Sequence, residues 1–426
     1  MTSTTTADRI SYEPFTRLEE PELYALLQRL RDRPGLHRTD TGWWVASRFA
    51  DVRLVLSRPE LFSSAPNQDE LAGLSTKLDP DTNPEQLQRL MAIMAGMPVD
   101  VGELVSARMI IGADPPTHTR LRSIVNRGFT PRRIDAVGPA IEAVVDDALT
   151  GIEDVGSFDV VSGLAAELPA RVLARLLGVD AAAARDMKGW ADVLSTTVQG
   201  TARGDADEVQ LAMVRMLREF ADYFVPIIEE RRRNPGDDLI SALVKAAESD
   251  TLTAVETIMF LLVLVFAGSE TAANLISNTV VSLYENPDQL ELLQHNPELA
   301  AGAVEECLRY RAPFQFNFRQ ATRDTELAGE HIAEGELVVP QIASANRDTR
   351  QYFDPHRYDI TRDAQHLSLG HGIHFCLGAH LGRMEARIAL TKLMPHMARR
   401  TLDLDGLRRL ETAFIYGYRT VELVRG

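Results

Sequence analysis

The sequence predicts a mainly helical protein with a small β region, an α+β chain organised around one long buried helix and read as a single domain over residues 1–426. Three observations carry this. From Asp51 to about Ala300, apolar residues recur three or four apart, as in PRRIDAVGPAIEAVVDDALTGI, LAAELPARVLARLLGV and VQLAMVRMLREFADYFVPIIEERRR, which is the spacing of amphipathic helices. The longest apolar run, Ile258 to Gly268, is too short for the roughly 20 residues of a membrane-spanning helix and reads as a core helix. Strand-like pieces are few and scattered, at Phe314–Arg319, Glu336–Ile342 and Thr420–Val424, too far apart to make a domain of their own.

In chain order, residues 1–9 are polar and expected to be disordered. Pro21 to Arg33 has helical spacing, and GLHRTDTGWWVAS, with Trp43 and Trp44, reads as a hairpin that starts the small sheet. Residues 64–109 are irregular, with several prolines and aspartates and with Met91, Met94, Met97 and Met109. Methionine fills apolar space adaptably, so this segment is expected either to be a mobile substrate-access wall or to pack into the core as a short helix. Thr253 and Glu256 form a capping box at the start of the long helix, and Pro287 closes it.

Composition is that of a globular protein, with 45% apolar and 25% charged residues. A net charge of −16 excludes a general nucleic-acid binder, because neutralising phosphates needs a basic face. The start, MTSTTTADRISYEPF, has no basic stretch followed by an apolar run, so neither a secretory signal nor a membrane anchor is expected and the localisation reads as cytoplasmic. The two cysteines, Cys307 and Cys376, are too few for a disulfide framework and fit a reducing compartment.

The stretch richest in chemistry is Leu369-Gly-His-Gly-Ile-His-Phe-Cys376-Leu-Gly378, followed by the helical AHLGRMEARIALTKLM. Gly370, Gly372 and Gly378 allow tight or left-handed turns and close approach to a flat partner. Cys376 is thereby presented at a helix start, where backbone N–H groups favour the thiolate, the metal-binding form. Two other readings compete: a zinc cluster from His366, His371, His374, Cys376 and His380, which lacks the paired short spacings zinc sites use, and a free cysteine beside solvated histidines.

In the long helix, Ala267-Gly268-Ser269-Glu270-Thr271 follows the apolar run. A mid-helix glycine costs about 1 kcal/mol relative to alanine, so Gly268 implies a close neighbour or a local distortion. Ala267 and Thr271 share one face, and Glu270 is the first acid after the run. A small-residue helix crossing with a back-bonded threonine is the alternative. Glu306 and Arg309 form an i, i+3 pair, of a kind that is worth little at a surface. His118 and Arg122, four apart in Asp114-Pro-Pro-Thr-His-Thr-Arg-Leu-Arg, share another helix face.

Taken together these motifs resemble the cytochrome P-450 family. The cysteine loop matches that family's Phe-Gly-x-Gly-x-His-x-Cys-x-Gly haem-binding pattern at every specified position except the first, where Leu369 stands. The long helix matches its Ala/Gly-Gly-x-Asp/Glu-Thr motif, Glu306–Arg309 its Glu-x-x-Arg helix, and His118–Arg122 its His-x-x-x-Arg helix, all in the family's order from about Tyr12 to the end. The resemblance implies the cytochrome P-450 fold with haem b as cofactor, Cys376 as axial iron ligand, and His374, His118, Arg122 and Arg319 at the haem propionates. It places Ala267, Gly268, Gly370 and Gly378 against the haem. Thr271 would orient O2 and water and Glu270 would relay protons. Glu306, Arg309 and Arg357 would form a buried structural network, with Cys307 a packed small residue beside it. Leu369 would alter the redox potential rather than the ligand.

The activity so implied inserts one atom of O2 into an apolar small molecule, by hydroxylation or epoxidation of a lipid, steroid, terpenoid or polyketide-like substrate. Neither a flavin-binding Gly-x-Gly-x-x-Gly nor an iron–sulfur cysteine run is present, so electrons are expected from a separate ferredoxin and an NAD(P)H-dependent reductase. Five arginines and no acid lie between Arg120 and Arg133. Arg127 and Arg132 are expected to help dock an acidic ferredoxin, unless they are simply solvated. Substrate contacts are expected from Met91, Met94, Met97, Val263, Phe314, Phe316 and Ile415, mainly apolar surface. The rival activities are a peroxygenase using peroxide directly and a non-enzymatic haem sensor.

Overall fold

The computed structural model describes residues 10–67, 84–198, 206–245, 252–363 and 365–425. The expected disorder of residues 1–9 and the 68–83 part of the access segment lie outside the described residues.

The helical spacing is realised as sixteen described α-helices. The N-terminal part carries α1 (Glu20–Asp32), α2 (Phe49–Ser57), α3 (Pro84–Met94), α4 (Val101–Ser106), α5 (Thr117–Gly128), α6 (Pro131–Asp135) and α7 (Gly138–Leu149). The middle carries α8 (Leu168–Leu177), α9 (Ala183–Val198), α10 (Ala206–Arg233), α11 (Leu239–Val244) and α12 (Ala254–Glu285). The rest are α13 (Pro287–His295), α14 (Ala300–Tyr310), α15 (Ile342–Ala345) and α16 (Ala379–Met397).

Helix α12 organises the molecule. Its start is the capping box read from the sequence, with the Glu256 N–H donating to Thr253 Oγ1 and the Thr253 N–H to Glu256. Its 32 residues span about 48 Å at 1.5 Å each, and α8, α9, α10, α14 and α16 all pack on it. That enclosure explains why its sequence is apolar on nearly every side. By length and composition it could cross a membrane, yet 67% of its most apolar stretch is buried inside the protein. The main hydrophobic cluster surrounds it and draws residues from Ala113 to Leu423, Cys307 among them. Burial pushes the Cys307 thiol up to about 12, leaving it an inert packed side chain.

The β region is small. The predicted hairpin pairs β1 (His37–Arg38) with β2 (Trp44–Ala46), opposing His37 to Val45. The sheet continues β2, β8 (Leu337–Pro340), β5 (Arg319–Ala321), β3 (Phe62–Ser63), with only β2–β8 parallel. A second sheet has the order β4 (Ser157–Asp159), β12 (Glu422–Arg425), β9 (Arg400–Leu402). Two hairpins, β6 (Thr325–Leu327) with β7 (Glu330–Ile332) and β10 (Arg408–Arg409) with β11 (Tyr418–Thr420), complete it.

Two expectations are corrected. The strand expected over Phe314–Arg319 is an irregular run with a single bridge, Phe314 to Ile415, and enters a ladder only at Arg319. The described part of 64–109 follows the short-helix alternative rather than the irregular wall: it carries α3, whose Leu90, Ile93 and Met94 pack on Leu211 and Val214 of α10, and α4, whose Leu104 packs toward Met109, Val255, Met259 and Val263.

Candidate functional site

Along buried α12, Leu264, Ala267, Gly268 and Thr271 keep partial exposure. The reason is a cavity of about 320 Å³ that they line; at i, i+3, i+4 and i+7 they form one stripe of the helix. The wall opposite is the 369–379 loop with the start of α16, and the flanks include Phe129, Leu173, Leu308 and the Pro313–Arg319 run.

Backbone geometry sets the loop. Gly370 and Gly372 have φ of 72° and 70°, left-handed values that glycine adopts without strain. A Cβ on Gly372 would lie 3.0 Å from the Leu56 carbonyl oxygen of α2. The Cys376 N–H donates to the Leu369 carbonyl at 2.8 Å and closes the loop. A Cβ on Gly378 would meet nothing within 4 Å, so no protein atom demands glycine there, although Gly378 lines the cavity. Burial pushes the Cys376 thiol up, opposed by the Gly378 N–H and by Arg122 and Arg383.

One end of the cavity is cationic. His118, Arg122, Arg319 and His374 all line it, with the two imidazole rings 4.4 Å apart. The Nε2 atoms of both histidines are buried without a hydrogen-bond partner. Burial pushes Arg319 down to about 10, and burial together with Arg319, His118 and Arg122 pushes His374 down to about 3. The nearest acid, Asp114, is bound by Ser63 and by the Ser64 N–H. A buried cluster of donors without an anion is costly, so these residues fit a group that brings negative oxygens to this end. The histidines of the loop region otherwise go to separate partners: His366 to Glu305, His371 to Arg53, His380 to Asp135.

On the α12 side the outcome is mixed. Thr271 Oγ1 lines the cavity and donates to the Ala267 carbonyl at 2.6 Å, the back-bonded geometry. Gly268 also lines it, and its close neighbour is Leu173 of α8, whose Cδ1 would be 3.0 Å from an added Cβ. Glu270 is not among the cavity walls: its carboxylate accepts from Ser195 of α9 at 2.5 Å, because its position on the helix points to α9 rather than to the loop.

The structural network differs from expectation in one member. Glu306 and Arg309 are fully buried and joined by two 2.7 Å hydrogen bonds. Arg309 also donates to the carbonyls of Asn346, Pro355 and Arg357. The third arginine is Arg362, 3.2 Å from Glu306. Arg357 contributes only its carbonyl; its side chain is 58% exposed, 3.8 Å from Asp288. No periodicity marks a loop arginine such as Arg362, so the sequence had no signal for it. A second set, Glu305 with Arg383 and His366, lies beside the loop; although burial opposes it, the hydrogen bonds from His366 and Arg383 hold Glu305 down to about 2.

Of the expected substrate contacts, Val263 and Phe314 line the cavity. Phe316 and Ile415 instead pack into the cluster beneath the five-stranded sheet, and Met91, exposed, and Met94, packed toward α10, lie away from the cavity, as does Met97. The sequence reading missed Phe129, Leu173, Ile110 and Ile111, which line the cavity only because distant helices converge there.

A loop cysteine and a threonine-bearing buried helix line one apolar cavity with a cationic end, an arrangement that fits a haem-thiolate site in a mainly helical fold. The comparisons agree. The cytochrome P-450 family model matches residues 203–403. The vitamin D(3) 25-hydroxylase of Pseudonocardia autotrophica is 35% identical over 390 residues, 90% of this chain and 88% of that protein. The 6-deoxyerythronolide B hydroxylase of Saccharopolyspora erythraea is 37% identical over 315 residues, 73% and 75% of the two chains. CYP109E1 from Bacillus megaterium, solved in complex with corticosterone, superposes with a TM-score of 0.80 at 31% identity, over 94% of this chain and 98% of that one. The chain belongs to the cytochrome P-450 family and is a P-450 monooxygenase of the bacterial type, a family whose members carry haem and act on apolar substrates with O2 and redox partners.

Proposed function

We propose that this chain, acting as one domain, holds haem b through Cys376 and hydroxylates or epoxidises a neutral, apolar small molecule of the steroid, terpenoid or polyketide kind. The observation that supports this most is the cavity itself, with Cys376 in one wall, Thr271 in another and unpartnered donors at one end. Bound there, haem supplies the activation of O2 and the insertion of one oxygen atom into the substrate. His118, Arg122, Arg319 and His374 would hold its propionates by charge-assisted hydrogen bonds, and Gly370, Gly378, Ala267 and Gly268 leave room for its faces. Burial pushes the Cys376 thiol up, and the Gly378 N–H, Arg122 and Arg383 oppose that push and favour the thiolate that would hold the iron. Thr271 presents a hydroxyl to water and O2 in an otherwise apolar stripe. Val263 and Phe314, with Phe129, Leu173 and Phe260, exclude water and contact substrate; none carries a charge, which favours a neutral ligand. The steroid and polyketide preference is carried over from the relatives, one of which was solved with corticosterone and one of which is named for 6-deoxyerythronolide B.

Electrons come from a separate ferredoxin and NAD(P)H-dependent reductase, in the cytoplasm. Arg127 and Arg132 support this docking: both are exposed and pair with no acid among the described residues. Arg127 ends the helix from which Arg122 donates to the Phe375 carbonyl of the cysteine loop at 2.8 Å, and Arg132 lies on α6, which meets the start of α16 through Asp135 and His380. Reversing both to glutamate is expected to slow electron transfer and flatten its salt dependence; an unchanged salt dependence excludes docking there.

The decisive test is the absorption of the reduced, carbon monoxide-treated protein. Wild type is expected to show the strongly red-shifted Soret band of thiolate ligation and Cys376→Ala to lose it. A protein that binds no haem, or whose band is that of histidine ligation, refutes the assignment.

A further inference from the structure

Among the described residues that line the cavity, Phe15 alone is exposed, at 41%. It therefore stands where the cavity meets solvent, which sets it apart from exposed apolar side chains such as Leu404 that line no part of it. Two further rings carry the same wall inward. Phe15 stacks on Phe318 with centroids 5.7 Å apart and planes at 22°, and Phe318 stacks on Phe414 at 6.2 Å and 26°. Phe318 and Phe414 are buried and both line the cavity. The wall from the surface to the interior is thus a row of near-parallel aromatic rings.

Local sequence puts Phe15 on a strap. Pro14 and Phe15 form the centre of a turn closed by the Thr16 N–H, which donates to the Glu13 carbonyl at 3.0 Å; proline suits the first central place of such a turn. The strap is anchored at either end by buried side chains, Tyr12 before it and Tyr24 of α1 after it. Between the anchors its ties to the rest of the molecule are exposed. Glu13 accepts from the Thr41 N–H at 3.0 Å and from Thr41 Oγ1 at 2.8 Å, and Arg17 donates to the Leu410 carbonyl at 3.3 Å. Bonds of this kind exchange readily with water and add little net stability. Beyond its stack on Phe318, the Phe15 ring has edge contacts with Trp43 and Phe316, at 6.2 and 5.5 Å. A segment held in this way between fixed ends opens at lower cost than the helices around it.

We infer that Phe15 is the outer gate of the cavity: the turn from Glu13 to Thr16 lifts, and a neutral, apolar molecule enters over Phe15 and along Phe318 and Phe414. This rests on the monooxygenase reading above and adds the route by which its substrate arrives. The gate selects on width and on apolarity. A molecule no wider than a single ring passes the closed turn, whereas a broader one needs the turn to lift. The ring faces offer no hydrogen bond to replace lost hydration, so a charged molecule is held back at the mouth. Because the turn must lift for exit as well as for entry, Phe15 governs the rates of binding and release and leaves their ratio nearly unchanged.

The test follows, by stopped-flow absorption of the Soret band, the binding and release of two iron-binding probes by the haem-loaded protein. Imidazole is narrow; clotrimazole is an imidazole carrying a bulky triaryl group. In Phe15→Ala, clotrimazole is expected to bind and leave several-fold faster at nearly the same Kd, while the imidazole rates stay as in wild type. Phe15→Trp is expected to slow clotrimazole in both directions. Glu13→Ala, which keeps the ring but unties the turn from Thr41, is expected to speed clotrimazole as Phe15→Ala does. Unchanged clotrimazole rates in Phe15→Ala overturn the inference. So does an equal gain for imidazole, which would mean a general loosening of the cavity rather than a gate. Should Phe15→Ala fail to fold or to hold haem, Phe15→Trp and Glu13→Ala decide, and rates like those of wild type in both reject the gate. Failure of the underlying reading is distinct, since it shows as an absent thiolate Soret band in wild type under carbon monoxide, whereas failure of the gate leaves that band in place.

Discussion

Replacing Arg362 is expected to destabilise the protein far more than replacing Arg357. Glu306 is fully buried, and its carboxylate is held by Arg309, by the Asp359 N–H and by Arg362. Arg362 is 14% exposed and also donates to the carbonyls of Phe353, Asp354 and Arg357. Hydrogen bonds to charged groups contribute about 1.5–3 kcal/mol each in net terms. With Arg309 still neutralising Glu306, Arg362→Ala is expected to cost about 2–3 kcal/mol. Arg357 and Asp288 are both more than half exposed and 3.8 Å apart, so Arg357→Ala should cost about 0.5 kcal/mol or less. Arg309→Ala leaves a buried carboxylate with too few partners, a loss of about 3–5 kcal/mol that should prevent accumulation of folded protein. The assay is the temperature at which the haem-loaded protein loses its Soret band. For a chain of this size, about 2 °C or less per kcal/mol is expected, so Arg362→Ala should fall by roughly 4 °C and Arg357→Ala by under about 1 °C. Equal losses, or a larger one for Arg357→Ala, would refute the assignment of Arg362 as the third arginine.

Arg319→Leu, which removes a buried cation beside two histidines whose Nε2 atoms lack a partner, should speed haem transfer to an acceptor protein roughly tenfold or more while leaving helix content unchanged; unaltered retention would show that the cationic end does not hold the propionates. Thr271→Ala removes only a hydroxyl that back-bonds to its own helix, so melting should change little while product per NAD(P)H drops several-fold, and full coupling would sink the role of Thr271. Gly268→Val should cost about 1–3 kcal/mol because the end of the Leu173 side chain must give way to it, and a second change of Leu173→Ala should restore much of the loss. The Glu385 carboxyl sits at about 8 rather than the ordinary 4.5, so the unfolded chain gives up this proton before the folded one does. Wild type should therefore lose stability relative to Glu385→Gln as pH rises from 4.5 to about 8, by roughly 5 kcal/mol at most, with no further change above; parallel profiles of melting temperature against pH would refute this.

The sequence by itself determined whatever depends on neighbours along the chain. The helix-rich class, the capping box of Thr253 and Glu256, the first hairpin and the glycine loop around Cys376 were all legible, because 3.6-residue periodicity, caps and left-handed turns are local properties. The Glu306–Arg309 pair was legible too, being a single helical turn. What only the tertiary structure decided is what distant elements do to one another. Residues 84–94 pack as a helix on the apolar face of α10, and Leu104 of α4 packs toward Met109 and the start of α12. Arg362 replaced Arg357 because a loop fold, not a spacing, carries its guanidinium to Glu306. Glu270 turned to Ser195 because α9 packs on that side of α12. Glu385 is buried with its Oε1 unpartnered because α12 and α14 pack on α16, which no spacing within α16 records. Burial and partner choice are set by the packing of elements far apart in the chain, and no periodicity within one element records which face its neighbours will cover.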